Sequence, residues 1–311
     1  MYNRIAVYGH RGWASSAVDV SLATSGAPVT VLYRPGSDAS GVAGAVKTIE
    51  VDIEDEGALV AALQDIDIFI SLVSQEGVIK QHGFVKGIPK INVKLFVPSD
   101  LAARYDEQGL RIGVNGAKAA VESADKEASI PTTIVLPGNF AEFALGTLAM
   151  GVDCIGNRLV FSGKSADKPL NVCTRRYVAA AYASLFATTP IEELQNRVIG
   201  LSELRPTGNA LALTLEKRHS KAPQITTHDL EKINDKIEDE LRVGSPFAMA
   251  WYCRKTWGSG QQAEMIGTDV WEVPGYSLAS LEELVVKGKL EPYRELPPPV
   301  TGLFSKTFAP I

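Results

Sequence analysis

Two glycines and two arginines near the start of the chain have the types and the spacing to hold a phosphate. The stretch Arg4-Ile5-Ala6-Val7-Tyr8-Gly9-His10-Arg11-Gly12-Trp13-Ala14-Ser15 is an apolar run that breaks into a glycine turn and then an alanine-rich segment. That order predicts strand, tight loop and helix. A loop feeding a helix N-terminus leaves backbone N–H groups without intrahelical partners, and these, with the positive end of the helix dipole, attract an anion. The spacing Gly9-x-x-Gly12-x-x-Ser15 follows a dinucleotide-binding pattern, in which glycines permit the turn, close approach of backbone to pyrophosphate, and helix-on-strand packing. Serine in the third place should cost packing distance rather than the phosphate site. Alone, the motif is also compatible with a plain turn, so its surroundings decide.

Residues 29–34 read as a second strand, closed by the turn Pro35-Gly36-Ser37. At the end of such a strand an acid bonds a ribose 2′-hydroxyl, whereas an arginine accommodates a 2′-phosphate. Tyr33-Arg34 stands there, and Arg11 could supply a second positive charge. Both point to NADP(H); the alternative is a pair of solvated surface arginines. Residues 48–55 form a short strand and loop before an amphipathic helix, placing Asp52 and Ile53 either beside the adenine or in an ordinary helix-entry loop. Residues 66–73 are a buried strand whose end, from Ser71 through Val73 to Gln75, should pass the cofactor ribose and nicotinamide. A helix at 78–85 leads to a fifth strand at 94–100, which carries Ser99 near its end, and a helix at 115–128 carries Lys118. A sixth strand at 132–136 leads to Asn139 and Phe140.

Strands alternating with helices in this way predict an α/β fold, a Rossmann-type doubly wound parallel sheet with a smaller C-terminal substrate-side subdomain. The expected division is 1–152 for the nucleotide-binding part and 153–311 for the substrate side, with the sheet partly shared. In the second half the pattern loosens into short strands, helices at 175–187, 209–219 and 229–241, and an aromatic segment at 247–257. Pro297-Pro298-Pro299 should end the regular structure, leaving a short tail.

Composition narrows the classes of function. The 311 residues carry 31 basic and 36 acidic side chains mixed along the chain, a net charge of −5, which gives no polyanion-binding face, so nucleic acid is not the expected partner. Three distant cysteines without a CxxC pair disfavour a disulfide framework or a zinc site, and no metal is expected. The first strand begins almost at once, leaving no room for a signal peptide, and the longest apolar stretch is too short for a bilayer. A soluble, cytoplasmic protein is expected, with its oligomeric state open.

The segments Gly9-x-x-Gly12, Leu32-Tyr33-Arg34-Pro35, Val51-Asp52-Ile53, Phe96-Val97-Pro98-Ser99-Asp100, Lys118, Ile130-Pro131-Thr132-Thr133 and Gly138-Asn139-Phe140 together resemble NmrA-like proteins and the isoflavone-reductase-like enzymes, atypical members of the short-chain dehydrogenase/reductase superfamily. The likeness spans roughly half the chain. It implies an NADPH-binding domain with a variable substrate lobe, and a general acid/base at Lys118. The sequence departs from the family's pattern at Ser15, at Asp100, where plant reductases show glutamate, and at Tyr177, where many relatives carry aspartate.

None of the nine tyrosines is followed four residues later by lysine, so the usual short-chain dehydrogenase acid is absent. Hydride transfer to a carbonyl, imine or conjugated alkene still needs a proton donor, a task for which a lysine in a half-buried crevice can be tuned. By periodicity alone Lys118 is a surface residue of an amphipathic helix; the resemblance makes it the catalytic candidate. His82 and Trp251 are candidate substrate contacts, with Gln75, although a lone histidine is commonly a packing residue and aromatics at helical spacing are commonly core. His10, His82, His219 and His228 lack a nucleophile-elbow context, so hydrolysis is not favoured. The expected activity is NADPH-dependent reduction of a small aromatic or heterocyclic metabolite. A biosynthetic cyclase, reducing an iminium or steering a Diels-Alder-type cycloaddition, and a non-catalytic NADP-sensing regulator are the alternatives.

Overall fold

The computed structural model describes residues 2–39, 42, 47–309 and 311. Its centre is a five-stranded parallel sheet in the order β3-β2-β1-β4-β5, formed by β1 (Ile5–Tyr8), β2 (Val29–Tyr33), β3 (Lys47–Glu50), β4 (Ile68–Ser71) and β5 (Leu95–Val97). Such strands read as continuous apolar runs because both faces are covered. In β1 the period of two is visible in the packing: Ile5 and Val7 join one core with residues of α1 (Ser15–Thr24) and of a later helix, whereas Ala6 and Tyr8 join the opposite core with α2 (Glu56–Leu63) and α3 (His82–Gly87). Asp55 caps α2 by accepting the Ala58 N–H at 3.0 Å.

After α4 (Glu107–Leu110) and α5 (Gly113–Glu127), β6 (Thr133–Leu136) continues the sheet beyond β5 through a parallel bridge between Phe96 and Thr132. β7 (Asn139–Phe140), α6 (Ala141–Gly146), β8 (Val152–Asp153), β9 (Arg158–Ser162) and β10 (Val172–Cys173) then lead to α7 (Arg175–Phe186), which packs on α1. The chain returns to the sheet at β11 (Arg197–Leu201), parallel to β6, and later at β13 (Val270–Trp271). The second half thus adds strands at that side of the sheet and a separate layer: β12 (Gln224–His228) pairs in parallel with β9, which pairs antiparallel with β8 on its other side, and α9 (Leu230–Arg242) and α10 (Ala248–Ser259) follow, with α8 (Gly208–His219) preceding β12.

Three sequence expectations are corrected. The strand expected over 94–100 ends at Val97, and the helix expected at 78–85 is a 3₁₀ turn (Gln75–Gln81) followed by α3. The three prolines do not end regular structure: Pro298 opens α11 (Pro298–Ser305), because a proline in the first turn loses an N–H that has no intrahelical partner anyway.

Candidate functional site

A cavity of about 1150 Å³ opens beyond the carboxyl ends of β4, β5 and β6, where ligands bind in open parallel sheets. Six of the residues singled out in the sequence line it: Val73, Gln75, Ser99, Lys118, Asn139 and Phe140. The Ser99 hydroxyl donates to the Val73 carbonyl at 2.8 Å and its N–H to Gln81 Oε1 at 2.8 Å, so the ends of β4 and β5 are tied together under the cavity floor.

Lys118, on α5, reaches into this space with its side chain only 15% exposed. Its Nζ donates to the backbone carbonyl of Asp100 and lies 3.4 Å from Asp100 Oδ1, the carboxylate itself being 12% exposed. Burial raises the Asp100 pKa, opposed by the charges of Lys118 and Arg104. Arg104 is engaged elsewhere, in a two-pronged pair with Glu122. Burial likewise pushes the Tyr105 phenol well above its ordinary range. This tyrosine lines the cavity and no spacing in the sequence marks it.

The far wall comes from residues the sequence reading missed. From α10 the cavity receives Met249, Ala250, Cys253 and Thr256, and from the C-terminal segment Tyr293, Val300 and Phe304. Phe143 packs on the C-terminal segment, 5.6 Å from the Tyr293 ring and 6.4 Å from that of Phe304 between centroids. The Cys253 thiol is pushed up to about 12 by burial and is therefore not a reactive thiolate near neutral pH. Trp251 points away from this wall: the Arg254 guanidinium lies 4.8 Å from its ring centre, and it packs with the α9–α10 core. Trp257 is fully buried, donating to the Lys168 carbonyl at 2.9 Å, and Tyr252 donates to Asp106 at 3.0 Å. Trp251 and Trp257 thus belong to the core, whereas Tyr252 also lines the cavity. His82, at the start of α3, lies outside the cavity lining, as does Tyr177, whose hydroxyl reaches the Trp271 carbonyl at 3.4 Å.

The glycine loop sits at the adjoining carboxyl end of β1. Gly9 has φ +104°, and a Cβ there would stand 2.6 Å from the Leu72 carbonyl oxygen, so the turn requires glycine. The α1 N-terminus has no side-chain cap and no acid in its first turn. Arg11, exposed, reaches Ser37 Oγ at 3.3 Å across the turn that follows β2, and Arg34 is exposed at that strand's end, its charge acting on Tyr8 together with that of Asp52. Uncapped N–H groups beside two exposed arginines fit a polyanionic group. Ser71, at the end of β4, is fully buried, its hydroxyl unpartnered among the described residues.

Four further positions around the glycine loop and the second βα unit are placed as follows, of which Ile53 departs from the place beside the adenine. Asp52 is exposed and accepts the Glu54 N–H at 3.0 Å, folding its own turn. The Ile53 side chain is 6% exposed and packs in the core with Leu59, Leu63 and Phe84, because the strand ends before it and the chain turns inward. Trp13 leans towards the C-terminal segment, donating to the Pro292 carbonyl at 3.2 Å, with ring centres 4.8 Å from Tyr293 and 5.2 Å from Phe140. Ser15, in the third glycine's place, is 2% exposed and bonds back to the Gly12 carbonyl at 3.2 Å.

Comparison with known proteins agrees with this architecture. Over 156 residues the chain is 28% identical to an isoflavone reductase homolog, IRL, of Zea mays, covering 46% of this chain and 50% of the relative. Over 166 residues it is 30% identical to bifunctional pinoresinol-lariciresinol reductase 1 of Thuja plicata, covering 47% and 53%. The chain thus spans about half the length of the curated relatives it matches. Among solved structures, the binary complex of leucoanthocyanidin reductase with NADPH from Vitis vinifera superposes with a TM-score of 0.75 at 18% identity, over 91% of this chain and 98% of that one. A crystal structure of isoflavone reductase gives 0.76 at 19% identity, over 93% and 100%. At these identities the likeness is one of fold, a Rossmann-type α/β architecture. With residues 1–250 matching the model of the NmrA-like family, the chain belongs to that family.

Proposed function

We propose that this chain is an NADP(H)-dependent oxidoreductase acting on a small aromatic or heterocyclic molecule. The observation that carries the reading is Lys118: a mostly buried ammonium inside a large cavity that adjoins a glycine loop flanked by two exposed arginines. Residues 1–152 would hold the dinucleotide and residues 153–311 would complete the substrate wall. Gly9, Arg11, Gly12 and the start of α1 would take the diphosphate, Arg34 the 2′-phosphate, and Ser99, Asn139 and Phe140 the nicotinamide end. When bound, the nicotinamide supplies hydride exchange.

The chain's own contribution is proton management and shape. Adding hydride to a carbonyl, imine or conjugated alkene leaves an electron pair on the substrate heteroatom or α-carbon, and Lys118 Nζ gives it a proton; in the reverse direction the amine takes that proton back. Phe140, Phe143, Tyr293 and Phe304 offer apolar surface to a flat ring. A regulator that only senses the dinucleotide has no need of a lysine inside such a cavity.

The test is Lys118→Ala, assayed by NADPH oxidation with 9,10-phenanthrenequinone as a flat dicarbonyl probe and, in parallel, by NADPH titration. Positioned acid–base groups contribute typically about 10²–10⁴-fold, so kcat should fall by that much with NADPH affinity nearly unchanged. Wild-type turnover in the variant would remove the acid–base role.

A further inference from the structure

We propose that Asp100 is a positioning residue for Lys118, the fixed counter-charge that holds its ammonium in place and aims it into the cavity. The inference rests on the reading of Lys118 as the proton donor and extends it to a residue whose own side chain does no chemistry. Asp100 presents two groups to the same Nζ: its backbone carbonyl accepts a hydrogen bond, and its Oδ1 lies 3.4 Å away with no hydrogen-bond partner of its own among the described residues. The two side chains are 15% and 12% exposed, so water screens the pair weakly.

The surrounding charges leave Lys118 as the partner. From the loop after β5, Arg104 and Tyr105 face Asp100; from α5, Lys118 and Glu122; from α7, Tyr182. Arg104 is held bidentately by Glu122, which in turn accepts Lys126 at 2.9 Å. Both tyrosines are kept neutral by burial. Lys118 is therefore the cation left to compensate Asp100, and Asp100 the anion left to hold Lys118. Leu101, immediately after it, has φ +47°, so the backbone turns sharply at the point that delivers both the carbonyl and the carboxylate to one amine. Raised by burial, the carboxylate takes up a proton at a higher pH than an ordinary aspartate, at which point its hold on the ammonium is lost.

The experiment reads the amine directly and needs no substrate. Lys118 in the full chain is reductively methylated with formaldehyde and borane across a range of pH, and its extent is mapped by mass spectrometry against exposed Lys86 as internal standard. Only the neutral amine reacts. Asp100→Asn keeps the shape and removes the charge that holds the amine in place, so Lys118 labelling relative to Lys86 should rise several-fold, whereas Asp100→Glu should stay near wild type. In turnover of 9,10-phenanthrenequinone the wild type should lose kcat on the acid side as Asp100 is protonated; Asp100→Asn should show lower kcat without that limb, and Asp100→Glu should restore it. Unchanged labelling of Lys118 in Asp100→Asn, with the melting temperature preserved, overturns the inference and leaves the Lys118 reading standing. Full turnover by Lys118→Ala would instead remove that reading, and this inference with it.

Discussion

The two sides of the cavity are built by different rules. The side proposed to hold the nucleotide uses backbone: a glycine at positive φ, an uncapped helix end and strand termini in parallel register. The opposite side uses side chains alone, borrowed from α10 and from a C-terminal segment more than a hundred residues beyond the floor of the cavity. Backbone solutions are few and leave motifs at fixed spacing. A wall of apolar side chains has many solutions and leaves none. The contrast should govern what substitutions do: on the first side they should strike the fold and the dinucleotide, on the second the substrate.

Gly9 offers the sharpest way to break that contrast. In Gly9→Val the Cβ meets the Leu72 carbonyl oxygen at 2.6 Å, and φ +104° is a conformation a β-branched residue scarcely adopts. Backbone cannot yield as a flexible side chain can, so several kcal/mol of stability should be lost together with dinucleotide binding. Thermal melting and NADPH titration read both. A variant that melts like wild type would mean the strand β4 can move away, and that this edge is less rigid than its geometry.

Within the first half, buried carboxylates are kept in two ways, of which the pairing of Asp67 with Arg4 and Lys94 is one. Asp19 on α1 and Asp125 on α5 are buried with both carboxylate oxygens unpartnered among the described residues, and burial raises each to about 7. In the second half Glu203 accepts the Thr174 and Ala279 N–H groups. Because folded Asp125 binds its proton more tightly than the unfolded chain does, its contribution is complete below about pH 4 and is lost as pH rises through 7. A carboxyl held near 7 instead of 3.8 corresponds to on the order of 4 kcal/mol. Asp125→Asn should therefore be more stable than wild type at pH 8, by up to about that much, with the gap closing towards pH 4. Denaturant unfolding at the two pH values measures it; a gap independent of pH would show that Asp125 has a partner in solution.

Arg34 tests the dinucleotide side without touching the fold. A charge-assisted contact contributes about 1.5–3 kcal/mol, so Arg34→Ala should weaken NADPH roughly ten- to over a hundredfold while leaving NADH alone. Equal losses for both cofactors would place the arginine away from the 2′-phosphate.

How much of this was legible in the sequence follows from the same contrast. The parallel sheet, the glycine loop and the strand ends at Val73, Ser99 and Asn139 were readable because βα repetition fixes where strand termini point. Ile53 was misplaced because a strand's last residue is set by its neighbour's register, and β3 pairs with β2 only as far as Glu50. Trp251 was misplaced because, in a helix carrying Trp251, Tyr252 and Trp257, composition does not say which face meets the core; Met249 and Cys253 meet the cavity instead. Asp100 stood in a readable motif, but its partnership with Lys118 joins residues eighteen apart and only the fold brings them together. Phe304 carried no signal at all, since three prolines ahead of it read as a stop.

Phe304 is accordingly the place to test the side-chain wall. It is 8% exposed, closes the cavity beside Phe143, and belongs to a short helix whose neighbouring turn (Lys306–Phe308) is held by Arg158 packed 4.4 Å from the Phe308 ring centre and by the Ala309 carbonyl 3.0 Å from His228 Nε2. Those anchors lie beyond Phe304, so truncating its ring should enlarge the cavity without releasing the segment. Removing one aromatic face from a flat ligand costs about 0.5–1.5 kcal/mol beyond the lost area, so Phe304→Ala should raise KM for 9,10-phenanthrenequinone several-fold to about tenfold while bulkier polycyclic quinones gain relative to it. NADPH affinity should stay within about twofold, because no backbone of the nucleotide side is touched. If Phe304→Ala weakens NADPH as much as the quinone, the two sides are mechanically one unit, coupled through Trp13 and its contacts with Pro292 and Tyr293, and the division between a backbone-built half and a side-chain-built half fails at that residue.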